Sequence, residues 1–199
     1  MTLKDRVRNL EMTTLYEGWA KLSRATYDYR RSDGVWQPQR REIFDCGHGA
    51  AILPYDLDRR TIILTRQFRF STFSLGHDTL TIEVPAGLLD GAAPEDRIRA
   101  ELEEETGYRI AIVHKVFTAV MSPGAFNQVN HCFVGRYRPE DRVSPGGGCA
   151  DEGEDIEVLE LDFDAALALI DDGTIVDGKT IMLLQHAALH LFPSQSAMD

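Results

Sequence analysis

Residues 94–108, PEDRIRAELEEETGY, decide the fold of this chain because they predict one helix with both of its ends marked. Proline is favoured in the first turn of a helix and glycine directly after its last residue. The helix is therefore expected to begin near Pro94 and to stop at Gly107. Ile98 and Leu102 form an apolar stripe along it, so one side is expected to pack against a core.

Three glutamates of this helix are expected to crowd together on a neighbouring face. At about 100° per residue, Glu101 and Glu105 lie one turn apart, and Glu104 lies to the other side of Glu101. Carboxylates in such an arrangement repel each other, and a hard divalent cation with oxygen ligands relieves the repulsion. Magnesium suits a phosphate substrate because it neutralises developing charge and activates water. The alternative is a solvated acidic face, as in many glutamate-rich helices.

The segments around this helix predict short strands and two further helices. The clearest strand is Thr61–Phe70, with Ile62, Leu64, Phe68 and Phe70 on one face and Gln67 and Arg69 on the other. The other expected elements are a hairpin (Ala25–Arg30, a turn at Ser32–Gly34, then Val35–Phe44), strands at Thr81–Val84, Val113–Ala119, His131–Tyr137 and Ile156–Leu161, and helices at Asp164–Asp171 and Lys179–Leu191. Their irregular alternation favours a mixed α+β sandwich over a regular parallel sheet.

The net charge of −11 comes from one segment. Eleven of the 32 acids lie between Val143 and Gly178, where there is no Lys or Arg, and the other 21 acids equal the 21 bases. A nucleic-acid interface needs a clustered basic excess, so the chain is not expected to bind nucleic acid. With 43% apolar and 27% charged residues, the composition is that of a globular protein.

Membrane insertion and secretion are not expected either. No apolar run reaches the roughly 18 residues of a membrane-spanning helix. The charged N-terminus is not followed by the apolar segment of a signal peptide. Cys46, Cys132 and Cys149 are far apart in sequence. We interpret them as reduced thiols of a cytoplasmic protein.

The segment from Gly87 to Tyr108 resembles the Nudix box, a loop–helix–loop motif of the Nudix hydrolases. Within that family the chain resembles the branch of the GDP-mannose and ADP-ribose pyrophosphatases over nearly its whole length. The other segments that carry the resemblance are Arg40–Glu42, Arg66–Arg69, Ala86–Asp90, Met121–Gly124, Glu154–Leu161 and Asp177–Thr180. The resemblance implies a small antiparallel β subdomain in residues 1–45, for dimerisation and substrate contacts. A Nudix α/β/α sandwich with a mixed sheet is implied in residues 46–199.

The resemblance also implies an activity. This is the Mg²⁺-dependent hydrolysis of the phosphoanhydride bond of a nucleoside diphosphate sugar, GDP-mannose being favoured, to a nucleoside monophosphate and a sugar 1-phosphate. Mn²⁺ is the alternative ion. ADP-ribose pyrophosphatase activity and a catalytically weakened nucleotide-sugar sensor are the alternative functions. Because the N-terminal unit pairs with a second chain in the family, a homodimer is implied.

The site residues that the resemblance implies fall into three sets. The metal ligands are the backbone carbonyl of Ala86 and the carboxylates of Glu101, Glu105 and Glu154, and the catalytic set is Glu101, Glu104 and Glu105. The substrate contacts are Trp19, Arg40, Arg41, Glu42, Arg69, Ala86, Gly87, Leu88, Gln128 and Lys179. Arg69 and Lys179 are expected to clamp phosphates, the guanidinium fork being suited to phosphate oxygens. Their alternative roles are a surface arginine and charge balance at a helix start.

Two motif positions depart from the Nudix box, and a third difference follows the Ser-Pro-Gly segment. The first motif glutamate is Ala93 here, and the motif arginine is Ala100. Arg97 or Arg99 is expected to supply the missing cation, and Arg97 lies one turn before Glu101 on the same face.

The third difference is Gln128, which stands where related pyrophosphatases carry a glutamate. An amide cannot act as a general base. If that glutamate is the base in relatives, this protein uses another group or works slowly. Glu152 and Glu157 are the candidate substitutes.

Overall fold

The computed structural model of the protein describes residues 2–193, which form two compact units. Within the described residues, the N-terminal unit comprises 2–48 and 119–130. The main unit comprises 49–118 and 131–193. No helix within residues 2–193 is long and apolar enough to cross a membrane.

Three antiparallel strands, β1 (Val7–Glu17), β2 (Lys21–Arg30) and β3 (Trp36–Asp45), form the sheet of the N-terminal unit in the order β1-β2-β3. The sequence pattern predicted the β2–β3 hairpin but not β1. Two register shifts, between Arg8 and Glu11 and between Thr14 and Tyr16, interrupt β1. Such bulges break the period-two alternation by which a strand is predicted from sequence.

Within residues 2–193, a seven-stranded sheet and four α-helices form most of the remaining regular structure. The strands are β4 (Gly49–Asp56), β5 (Thr61–Gln67), β6 (Thr81–Glu83), β7 (Ala86–Leu88), β8 (His114–Met121), β9 (Gln128–Arg136) and β10 (Glu157–Asp162). Their order is β10-β5-β4-β9-β8, with β6 paired to β5 and β7 paired to β4. The helices are α1 (Phe70–Ser74), α2 (Pro94–Thr106), α3 (Phe163–Asp171) and α4 (Gly178–His190).

Two apolar clusters, one on each face of this sheet, form the core. Side chains alternate between faces along a strand, so Ala51 and Leu53 of β4 belong to one cluster and Ala50 and Ile52 to the other. The first cluster includes Phe163, Ala166, Leu183, Leu184 and Ala187 from α3 and α4, and the second includes Ile98 and Leu102 from α2. Helices thus cover both faces, and the expected α+β sandwich with a mixed sheet is confirmed.

Strand β5 is shorter than the sequence predicts. It ends at Gln67, because its pairing with β10 stops at Arg66 and its pairing with β6 stops at Gln67. The chain then enters α1, with Arg69 as the residue before its first turn. Phe68 and Phe70 are exposed rather than part of an apolar strand face. The prediction that Arg69 lies on the β5 strand was therefore wrong.

Helix α2 has the expected bounds. Pro94 occupies its first turn, and Gly107 ends it in the left-handed region at φ 76°. The helix packs Ile98 and Leu102 completely out of solvent against the sheet. This anchoring determines which of its glutamates are buried.

Candidate active site

Helix α2 buries two of its glutamates and exposes a third. Glu101 keeps 6% of its surface and Glu105 2%, whereas Glu104 is exposed. Glu103 lies towards solvent and accepts hydrogen bonds from Arg109 at 2.8 and 2.6 Å. Glu103 and Glu104 thus face solvent, while Glu101 and Glu105 form a buried pair of carboxyl groups.

Strand β7 lies directly against these two carboxylates. The backbone N–H of Ala86 donates to Oε2 of Glu105 at 3.2 Å. Gly87 lies so close to the carboxyl group of Glu101 that a Cβ at this position would overlap it. Glycine is therefore needed at position 87 for the backbone to approach the carboxylate.

The pKa of Glu105 is raised to about 8, first by burial and then by the nearby charges of Glu101 and Glu154, while the hydrogen bond from Ala86 opposes the shift. Glu154 lies outside α2, in the loop before β10, and its Oε2 accepts from the backbone N–H of Cys149 at 2.9 Å. The carboxylates that the sequence assigned to one metal site thus act electrostatically on each other in the folded chain.

The glycine-rich loop Gly146–Gly148 contacts both the end of α2 and Glu154. The N–H groups of Gly147 and Gly148 donate to the carbonyls of Glu105 at 2.9 Å and Glu104 at 3.2 Å. These carbonyls belong to the last turn of the helix, which has no partners within the helix for them. A Cβ on Gly148 would collide with Glu154. The three successive glycines are the sequence signal by which this loop could have been found.

Arg69 and Lys179 meet at a third buried carboxylate, Glu83 of β6. Arg69 Nε lies 2.7 Å from one oxygen of Glu83, and Lys179 Nζ lies 2.5 Å from the other. Lys179 also contacts Asp177 at 2.9 Å. Burial by itself raises the pKa of Glu83, but Lys179 and Arg69 outweigh it and hold the pKa below its usual value. Glu83 thus remains a carboxylate and holds two cations together.

Sequence reasoning missed Glu83. The available signal was an acidic residue between Ile82 and Val84 in a strand that the pattern marks as buried. Such a residue requires a partner, because an unpaired buried charge is strongly unfavourable. The identity of that partner depends on α1 and α4, which are distant in sequence.

The donor set fits a hard divalent cation in its chemistry. Glu101, Glu105 and Glu154 offer oxygen atoms only, and the pKa of Glu105 is raised by burial first and by the charge of Glu101 second. Within residues 2–193, no three acidic, histidine or cysteine side chains are grouped tightly enough to hold an ion as they stand.

The remaining predicted residues divide between the two units. The N-terminal unit contains Trp19, Arg40, Arg41, Glu42 and Gln128. The main unit contains all of the carboxylates expected to bind the metal, together with Arg69, Ala86, Gly87, Leu88 and Lys179. Trp19 is 81% exposed. Glu42 accepts a hydrogen bond from Arg24 at 3.0 Å.

Only one of the two candidate substitute bases has a described side chain. Glu157 accepts from Arg66 Nε at 2.8 Å, so its carboxylate is engaged in an ion pair. The side chain of Glu152 lies outside the described part of the chain.

A mixed sheet between helices, with a buried glutamate pair against strand β7, is the arrangement expected of a Nudix hydrolase. Residues 6–44 match the family model described as the GDP-mannose pyrophosphatase NudK N-terminal domain. Two relatives extend the match to most of the chain. The GDP-mannose pyrophosphatase of Yersinia pestis (strain Pestoides F) is 43% identical over 190 residues, 95% of each chain. That of Pectobacterium atrosepticum is 46% identical over 181 residues, 90% of this chain and 93% of the relative.

A solved structure described as an ADP compounds hydrolase shares the fold, with a TM-score of 0.71 at 17% identity over 94% of this chain and 95% of that chain. The chain belongs to the GDP-mannose pyrophosphatase family of Nudix hydrolases.

The free energy of unfolding of the metal-free protein is expected to fall as the pH rises, because of Glu105. Its pKa of about 8 in the folded chain lies above the 4.5 of an unperturbed carboxyl. Between these values the folded chain holds a proton that the unfolded chain releases. The contribution of Glu105 therefore lowers the free energy of unfolding by up to about 1.4 kcal/mol for each pH unit as the pH rises.

Glu105→Gln removes this group, and denaturant unfolding in EDTA tests the prediction. The stability of the variant relative to the wild type should increase between about pH 5.5 and about pH 7.5. An equal difference at both pH values contradicts the prediction.

Proposed function

We propose that this protein hydrolyses the phosphoanhydride bond of a nucleoside diphosphate sugar, GDP-mannose above all, to a nucleoside monophosphate and a sugar 1-phosphate. The observation that carries the proposal is the buried pair Glu101 and Glu105, one turn apart on α2 and lying against Ala86–Leu88. The names of the two bacterial relatives support GDP-mannose as the substrate.

The proposed cofactor is Mg²⁺, with Mn²⁺ as the alternative ion. The residues that would hold it are Glu101, Glu105 and Glu154, together with the carbonyl oxygen of Ala86. Such an ion neutralises charge on the diphosphate and activates water when it is bound.

Arg69 and Lys179 are proposed to bind and orient the phosphates. Glu83 fixes both cations, at 2.7 and 2.5 Å. The Arg69 side chain remains 39% exposed and that of Lys179 only 14%. Arg69 is therefore the more accessible of the two to an incoming phosphate, while the more buried Lys179 contributes positive charge. Arg69 also interacts electrostatically with Glu105 and Glu154. The proposed phosphate-binding cation therefore lies near two of the proposed metal ligands.

Glu104 is proposed to exchange protons with the attacking water. Gln128 is an amide and cannot take a proton from water. Glu157 is held by Arg66. Glu104 is an exposed carboxylate on the same turn of α2 as Glu105, so it can reach solvent without disturbing the core.

Incubation of the purified protein and Mg²⁺ with GDP-mannose or ADP-ribose tests the activity. We expect GMP and mannose 1-phosphate as products, with a higher kcat/KM for GDP-mannose than for ADP-ribose. Glu105→Gln should lower kcat about 100-fold, because it removes a carboxylate that is proposed to hold the ion that neutralises charge on the diphosphate. Glu103→Gln is the matched control, since Glu103 lies on the same helix but points to solvent and pairs with Arg109.

Turnover of neither compound contradicts the proposal. A higher kcat/KM for ADP-ribose favours the ADP-ribose pyrophosphatase alternative. Equal activity of the two glutamine variants argues against the role of the buried pair.

A nucleotide-sugar sensor is the second candidate function, and Ala93, Ala100 and Gln128 favour it. The variant Gln128→Glu separates the two functions. If Glu104 already serves as the base, kcat is unchanged within about threefold, whereas restoring a missing base raises it by about 100-fold or more. Thermal stabilisation by GDP-mannose without product formation is the signature of a sensor.

We also propose that the N-terminal β subdomain, residues 1–45, pairs with its counterpart in a second chain and that Trp19 and Arg40–Glu42 contact substrate. Strand β1 supports this because it is exposed along its whole length after Val7. Leu10 and Met12 are among the exposed apolar side chains, which an isolated chain rarely leaves uncovered in such number.

Sedimentation equilibrium tests the dimer. We expect a mass twice that of the 22.3 kDa chain for the wild type, and dissociation of the double variant Leu10→Asp/Met12→Asp. A wild-type protein that sediments as a single chain at micromolar concentration contradicts the dimer.

The cytoplasm is the proposed compartment. Cys46, Cys132 and Cys149 are all free thiols in the folded chain. Thiols without disulfide partners are usual in a reducing compartment.

A further inference from the structure

Two arginines of helix α2 are close to the position where the Nudix box carries its arginine and this chain has Ala100. Arg99 points away from the buried glutamates, since it forms ion pairs with Glu95 and Asp96 and donates from Nε to the carbonyl of Ala111 at 3.1 Å. Arg97 behaves differently. It pairs with Glu101, and its Nε donates to the carbonyl of Leu88 at 3.0 Å.

We propose that Arg97 is a positioning residue that replaces the arginine missing at position 100. One guanidinium links the carboxylate of Glu101 on α2 to the backbone of the strand β7. It thereby holds Glu101 against Ala86–Leu88, where the divalent ion is proposed to bind. This inference rests on the proposed function, because the ion is part of that proposal.

The geometry explains why an arginine is needed. Glu101 is 8% exposed at its side chain and Arg97 31%, so the pair is shielded from water on the side of the carboxylate. An arginine presents several N–H donors in a fixed plane and can serve a carboxylate and a carbonyl together. A lysine has one nitrogen on a flexible stem and cannot hold both partners in the same way.

The link adds to other contacts between α2 and β7. The N–H of Ala86 already binds Glu105, and Gly87 touches Glu101. Arg97 adds the contact to Leu88, so three successive residues of β7 are tied to one face of α2. Without Arg97, the Leu88 carbonyl loses this donor and Glu101 loses this counter-charge.

A merely structural ion pair would change stability and leave ion binding unaffected. The test is therefore Mn²⁺ affinity, measured by electron paramagnetic resonance of the free ion in the absence of nucleotide. Arg97→Met should weaken Mn²⁺ binding by about 10–100-fold, as is usual when the residue that orients a metal ligand is lost. Arg97→Lys should fall between Arg97→Met and the wild type. Arg99→Met is the matched control on the same helix and should bind as the wild type does.

A double variant provides a rescue. Ala100 is exposed, so Arg97→Met/Ala100→Arg accommodates the motif arginine at its usual place. We expect it to recover most of the lost Mn²⁺ affinity. Circular dichroism and the Tm in EDTA confirm that each variant is folded.

The outcomes separate this inference from the proposed function. If the wild type binds no Mn²⁺, the metal site itself is wrong. If the wild type binds and Arg97→Met binds equally well, or if Arg99→Met loses as much affinity, only the role of Arg97 is overturned. A double variant no better than Arg97→Met overturns the claim that positions 97 and 100 are equivalent.

Discussion

Two glutamates buried one turn apart on α2 constrain the rest of the site. Glu101 and Glu105 repel each other in a place from which water is largely excluded, so their charges are expensive to maintain. The folded chain lowers this cost with an arginine on Glu101, a backbone N–H on Glu105 and the retention of a proton at neutral pH. The proposed divalent cation would add positive charge beside the two carboxyl groups.

Positively charged side chains are grouped around Glu83. The carboxylate of Glu83 forms ion pairs with both Arg69 and Lys179, which would otherwise repel each other. Asp177 forms a second ion pair with Lys179. The proposed reaction would use both parts, the cations to bind phosphate oxygens and the carboxylates to hold the proposed divalent ion. The local acidic excess of the sequence does not oppose an anionic substrate, because these cations are held near the buried carboxylates.

Local signals predicted α2 but not the contacts of its side chains. Pro94 and Gly107 mark its ends through backbone preferences that act within a few residues. The bulges of β1 interrupt its alternating pattern, so the strand was not predicted. The alternation of Phe68 and Phe70 predicted an extension of β5, but no neighbouring strand within residues 2–193 pairs with it there. The resemblance to a known family named Arg69 and Lys179, yet their meeting at Glu83 and the contact of Arg97 with Leu88 depend on segments distant in sequence. Such contacts follow from the tertiary fold and leave no local pattern.

Proton release on ion binding tests the central claim most directly. Calorimetric titration with Mn²⁺ in buffers of different ionisation enthalpy counts the protons released for each ion bound. With the pKa of Glu105 near 8, about one proton should leave at about pH 7 and almost none at about pH 9.5, because the carboxyl is already ionised there. Binding with no proton release at the lower pH, or no binding at either pH, contradicts the account.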